Sequence, residues 1–205
     1  MDHFDTAQLI AIASVLGFAS GLRLYLVLFA VGLAGYLQWV PLPAGLQLLA
    51  HPWVLVASGL MMAVEFFADK IPALDSLWDA VHTLIRIPAG AALAAAVLGG
   101  DSATWATIAA ILGGSLAATS HFTKAGGRAL ANTSPEPFSN VALSSAEDVL
   151  AGGLVLLVLT HPWLAASIVL ALVLLAIWLL PKLFRFISRL ARRLFGSTSA
   201  QEDPR

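Results

Sequence analysis

Cysteine is absent from the 205 residues. That excludes disulfides, thiolate metal ligands and cysteine nucleophiles, and it leaves the redox compartment undetermined. Charge is scarce as well. Asp, Glu, Lys and Arg make up 11% of the chain against 59% hydrophobic residues, where a soluble domain carries roughly a quarter charged. A soluble globular domain is thereby excluded, and an all-α, polytopic integral membrane protein is expected. The start, Met1-Asp2-His3-Phe4-Asp5, has no basic n-region and runs into a long apolar stretch without a clear cleavage site. No removable signal peptide is expected, and the first span stays in the mature chain. The net charge of −1 says nothing about partners.

What is present are about six apolar spans, near 10–38, 50–68, 75–99, 103–122, 141–160 and 162–181, with broken or kinked segments among them. The first is too long for one straight crossing, and Gly17-Phe18-Ala19-Ser20-Gly21 is the natural break between a short leading helix and the true span. In the third, only Ala89 to Gly99 is purely apolar, so its polar first half must be sheltered by protein, with Pro88 expected to kink it. Basic residues set the orientation: Lys70, Arg86, Lys124, Arg128 and the tail Lys182, Arg185, Arg189, Arg192 and Arg193 fall on one side if both termini are cytoplasmic. A multi-pass protein of a bacterial plasma (inner) membrane is expected. Arg23 alone does not fit, since it lies inside the first span and needs a partner there.

Residues 1–181 are read as one transmembrane domain. In 182–196 basic residues recur every three or four positions opposite Leu183, Phe186, Ile187, Leu190 and Leu194, which predicts an interfacial helix on anionic headgroups rather than a nucleic-acid contact. Residues 197–205 read as a disordered tail. A weak internal repeat is visible: Ala50-His51-Pro52-Trp53 recurs as Thr160-His161-Pro162-Trp163, so two hairpins would point the same way. In that register Glu65 and Asp69 face Leu175 and Leu179, and the hairpin itself does not require those acids.

The charges fall in two dense blocks, each wedged between apolar runs. In the first, Glu65 and Asp69 stand one helical turn apart, Lys70 follows, and Asp75, Asp79, His82 and Arg86 draw a polar stripe at spacings of four, three and four. Glu65, Asp69 and Asp79 are the candidate ligands of a divalent cation such as Mg²⁺. The same groups could relay protons, or Asp75 could cap its helix while the rest form ion pairs. In the second block Lys124 and Arg128 lie one turn apart, the prolines around Glu136 forbid regular helix, and Ser139 or Asn140 can cap the fifth span. Glu147 and Asp148 follow about two turns further in. As consecutive residues point about 100° apart, they are not expected to serve one pocket equally. His82 and His121 are candidate proton carriers with structural roles as the alternative.

Ser20-Gly21-Leu22-Arg23, Glu65 with Ala68-Asp69-Lys70-Ile71-Pro72 and Asp75, the Arg86 to Gly90 turn, Lys124 with Arg128, and Asn132-Thr133-Ser134-Pro135-Glu136-Pro137-Phe138-Ser139-Asn140 with Glu147-Asp148 together carry a resemblance. The chain resembles an uncharacterised family of small bacterial integral membrane proteins, known as a domain of unknown function. The resemblance covers the chain from Gly17 to the sixth span and implies no mechanism.

Enzyme signatures were tested on the same residues. Asp75 and Asp79 supply the Asp-x-x-x-Asp end of CDP-alcohol phosphotransferases without the preceding Asp-Gly and Ala-Arg elements, and Ser120-His121 alone cannot stand for the Pro-Ser-Gly-His segment of lipid phosphatases. Walker-type and nucleophile-elbow patterns are absent. The leading expectation is a transporter or channel for an ion or small charged solute. In it Arg23, Lys124, Arg128 and the Ser139-Asn140 cap would bind negative charge, and Glu65, Asp69, Glu147 and Asp148 a coupling cation or proton. A metal-dependent enzyme acting on a lipid or phosphate ester, and an assembly or scaffold subunit, are the alternatives. Self-association as a homo-oligomer is left open. One composite site of opposite charges is the expectation common to the first two readings.

Overall fold

The computed structural model describes residues 4–71, 74–99, 102–133 and 137–195. Residues 1–3, Pro72, Ala73, Gly100, Asp101, Ser134, Pro135, Glu136 and residues 196–205 lie outside them. Among the described residues every regular element is helical: α1 Thr6–Tyr36, a 3-10 helix Ala44–Ala50, α2 Pro52–Ala68, α3 Leu74–Leu98, α4 Ala103–Ala131, α5 Pro137–Thr160 and α6 Pro162–Phe195. Five helices are long and apolar enough to cross a membrane, and the 3-10 helix with α2, bent by 71° between them, makes a sixth if the pair is counted as one span. The chain is a multi-pass all-α membrane protein.

Local sequence explains where these helices begin. Asp5 and Gln8 form a reciprocal capping box at the start of α1. Ser102 caps α4. His51-Pro52 and His161-Pro162 open α2 and α6 in the same way, with proline at the first helical position, and both helices then run in the same direction through the bundle. Pro137 likewise opens α5, so of the two prolines expected to forbid helix the second starts one. Ser139 and Asn140 therefore sit inside the first turn of α5 rather than at its cap. α4 extends to Ala131, which puts Lys124 and Arg128 on regular helix, and α3 runs unbroken through Pro88. α6 continues through Pro181 to Phe195, carrying the basic segment as its own extension.

α1 is apolar on every side because it is the central element, packed against all the other helices. It is not one straight rod. Arg23 has φ −143° and ψ 79°, which splits α1 into two arms. The first arm runs parallel to α4: Gly17 lies against Gly113, Gly21 against Ala117 and Ser120, and Leu22 beside Lys124. The second arm returns along α2 and α5, with Phe29 against Gly59, Leu26 against Gly152 and Gly32 against Leu49. Gly45 of the 3-10 helix then meets Ala96 at the far end of α3. Both ends of α1 thus lie at the end of the bundle where α3 passes into α4, and Arg23 forms the tip of a V at the opposite end.

This corrects two expectations. The break falls at Arg23, two residues past the glycine-rich stretch. Gly17 and Gly21 serve close packing: a Cβ on Gly17 would stand 2.7 Å from Gly113 Cα, and one on Gly21 would collide with the Ala117 carbonyl and Ser120 Oγ. Small residues there let helix backbones approach where lipid offers no hydrophobic drive for association. Thr6 and the α6 extension lie at opposite ends of the bundle.

Candidate functional site

The tip of α1 enters a layer of buried charge. Arg23, Glu65, Asp69, Asp75, Asp79, Arg86, Lys124, Arg128 and Glu147 are all buried, and they come from α1, the C-terminal end of α2, α3, α4 and α5. Helical spacing explains each contribution. Asp75, Asp79, His82 and Arg86 share the inward face of α3, as do Ser120, His121, Lys124 and Arg128 on α4. On α5, Asn140, Ser144, Glu147 and Asp148 form a third stripe.

Asp69 stands at the centre. Its carboxylate is in contact with Arg23, lies 2.8 Å from Lys124 Nζ and 3.5 Å from Arg128 Nη2, while its backbone carbonyl accepts from Arg128 Nη1 at 2.6 Å. Arg128 grips Glu147 with two nitrogens, at 2.7 and 3.3 Å, and reaches Asp75 at 3.4 Å. Such two-point pairing suits a planar guanidinium. Lys124 also approaches Asp79 at 3.1 Å and Glu147 at 3.6 Å. Arg86 bridges Glu65 at 2.6 Å and Asp79 at 2.7 Å. Arg23, the residue without an expected partner, meets Asp69, Asp148 at 3.0 Å, Glu147 at 3.6 Å, and the Ser144 hydroxyl and carbonyl at 2.8 and 3.0 Å.

The broken backbone is satisfied by the same side chains. Ser120 Oγ donates to Phe18 O at 2.6 Å, and Lys124 Nζ donates to Leu22 O at 3.3 Å. Both carbonyls lie in the last turn of the first arm, where a cation also complements the helix dipole.

Glu147 and Asp148 divide as their angular separation implies: Glu147 faces inward to Arg128, while Asp148 lies at the edge, 3.4 Å from half-buried Lys70. Arg23 nevertheless touches both. Asn140 reaches the layer indirectly, donating to Asn132 at 2.6 Å, which in turn contacts Asp75 at 3.4 Å. Ser139 is exposed. The two histidines lie at the inner margin: His121 Nε2 is 2.7 Å from Thr83 Oγ1, and His82 Nε2 is 3.2 Å from Tyr25 Oη. Tyr25, Thr83 and Ser144 were not expected in the site. Of these, Ser144 carried a signal, lying four residues before Asp148 and four after Asn140, and so did Thr83, four residues after Asp79 and three before Arg86.

Glu65, Asp69 and Asp79, the acids considered for a divalent cation, are separated from one another by Arg86 and Lys124. Among the described residues no group of three or more His, Asp or Glu is arranged to hold a metal.

A groove of about 360 Å³ touches the charged layer from the side, between the second arm of α1, α2 and α5; Leu26, Met62, Phe66 and Phe67 wall it, with Arg23, Glu65 and Asp148 at its charged edge. No curated protein and no solved structure matches the chain. Matched over residues 10–182, the greater part of its length, by the family described as Domain of unknown function (DUF4126), the chain belongs to that family.

Proposed function

We propose that this protein is a transporter or channel for an ion or a small charged solute, with its site in the buried ionic layer near the cytoplasmic face. The observation that carries this reading is the doubled-back α1, whose tip places Arg23 and two half-helix ends among the acids and bases of four other helical segments. Interrupted helices and clustered charge inside a bilayer protein cost stability and characteristically accompany ion and substrate sites. α2 supports it further. That helix packs mainly against α1 and only slightly against α3, yet it presents Glu65, and Asp69 at its end, to cations held on the tightly packed α1, α3 and α4. Repacking of ion pairs between packed elements is one of the recurring ways in which proteins switch state.

In this reading the basic end of the bundle faces the cytoplasm of a bacterial inner membrane. Arg23 joins the other basic residues there, and the N-terminal end of α1 lies on the opposite side. Vesicles reconstituted with the protein should show current or flux for at least one of K⁺, Na⁺, chloride, inorganic phosphate or tetraphenylphosphonium. Glu147→Gln, once shown to be folded, should abolish it. Wild-type flux in that variant removes the ionic layer from the pathway, and silence toward every probe overturns transport itself.

A further inference from the structure

Within the layer the acids outnumber the bases by one among the described residues: Glu65, Asp69, Asp75, Asp79, Glu147 and Asp148 stand against Arg23, Lys70, Arg86, Lys124 and Arg128. The shortfall can be located. Asp69 has three cationic neighbours, Asp79, Glu147 and Asp148 have at least two each, and Asp75 has Arg128 with Asn132 and the Ser76 backbone and hydroxyl as donors. Glu65 has only Arg86, which it shares with Asp79. Its Oε1 accepts from that guanidinium while Oε2 is buried without a hydrogen-bond partner. Oxygens of Asp69 and Asp79 are also unpartnered, but those residues have more cations around them and do not line the groove.

Glu65 does line it. A carboxylate short of positive charge at the edge of an apolar groove calls for one positive charge carried on an apolar body. Phe66 and Phe67 add aromatic surface, and the site already shows an ammonium in this role: Lys70 Nζ lies 3.2 Å from the Phe66 ring centroid and 3.4 Å from Asp148. Lys70 and Arg23 satisfy Asp148, which leaves Glu65 as the acid available to a ligand. The groove's size is at the lower end of small-molecule sites.

We propose that this groove binds an amphipathic organic monocation, its apolar groups against Leu26, Met62 and Phe66 and its charge at Glu65. The proposal refines the transport reading by naming a substrate class, and depends on that reading only for what binding accomplishes.

The test is equilibrium binding to the full chain in phosphatidylcholine nanodiscs, with empty nanodiscs as the reference. Tetraphenylphosphonium and tetraphenylborate have the same shape and opposite charge. Saturable binding of the cation at one site per chain, without saturable binding of the anion, is expected. Glu65→Gln should weaken it at least tenfold, and Met62→Trp, which fills the groove and leaves every charge in place, should do the same. Should Glu65→Gln not fold, Met62→Trp and the borate comparison decide. Equal saturable binding of both ions, or wild-type affinity in either folded variant, overturns the site. Binding without flux of any probe would leave the site standing and remove transport; inorganic-ion flux without tetraphenylphosphonium binding would do the reverse.

Discussion

Replacing Lys124 with methionine keeps the length and much of the apolar stem of the side chain and removes one charge from the centre of the layer. Its ammonium lies 2.8 Å from Asp69, 3.1 Å from Asp79 and 3.6 Å from Glu147, and it donates to the Leu22 carbonyl in the last turn of the first arm of α1. The excess of acid over base would double among side chains that are buried. Removing one partner of a buried ion pair costs about 3–5 kcal/mol, because the other is left uncompensated. Asp69→Asn in the same background returns the excess to its original value, while the asparagine carbonyl can still accept from Arg23 and Arg128. The double variant should therefore be more stable than Lys124→Met alone, with a coupling of about 1–3 kcal/mol. Lys70→Met is the control: Lys70 is partly exposed at the edge of the layer, and the loss should be about 0–1 kcal/mol. Unfolding in maltoside micelles titrated with dodecyl sulfate, followed by the fluorescence of the six tryptophans, measures the wild type, both single variants, the double variant and the control. A Lys124→Met protein as stable as the Lys70→Met control would refute the claim that charge balance holds the layer together, and strictly additive losses would refute the pairing with Asp69.

Two further expectations follow from the doubled-back α1. Gly21→Val forces side-chain atoms onto the Ala117 carbonyl and Ser120 Oγ, at a cost of at least about 1–3 kcal/mol since backbone cannot yield. Gly153→Ala on α5 meets nothing within 4 Å and should be neutral or stabilising by about 0.5–1 kcal/mol; folded yield by size-exclusion chromatography separates the two, and equal yields would contradict the close contact. The cysteine-free chain also permits topology to be read with single cysteines. Thr6→Cys and Gln47→Cys should react with an impermeant maleimide from one side of the membrane and Arg185→Cys from the other; labelling of Thr6→Cys and Arg185→Cys from the same side would refute the reversal at Arg23.

Hydropathy and helical spacing were enough to read the class of the protein, the starts of its long helices to within four residues and the two charged blocks, because all are local properties of the chain. The inward stripe Asp75, Asp79, His82, Arg86 is legible from its spacing alone, and so is the grouping of Glu65 with Asp69. The reversal of α1 is not. Arg23 is neither glycine nor proline, and no local pattern marks it as a break. The carbonyls of Phe18 and Leu22 just before it accept from Ser120 and Lys124, and its guanidinium donates to Ser144, residues about a hundred positions or more away in sequence, so only the packing of α4 and α5 against α1 determines where the helix turns. The same holds for the pairing of the charges. Spacing puts acids and bases on helix faces, but which carboxylate lacks a full counterion depends on how five segments meet, and that left Glu65 beside the groove with an oxygen to spare.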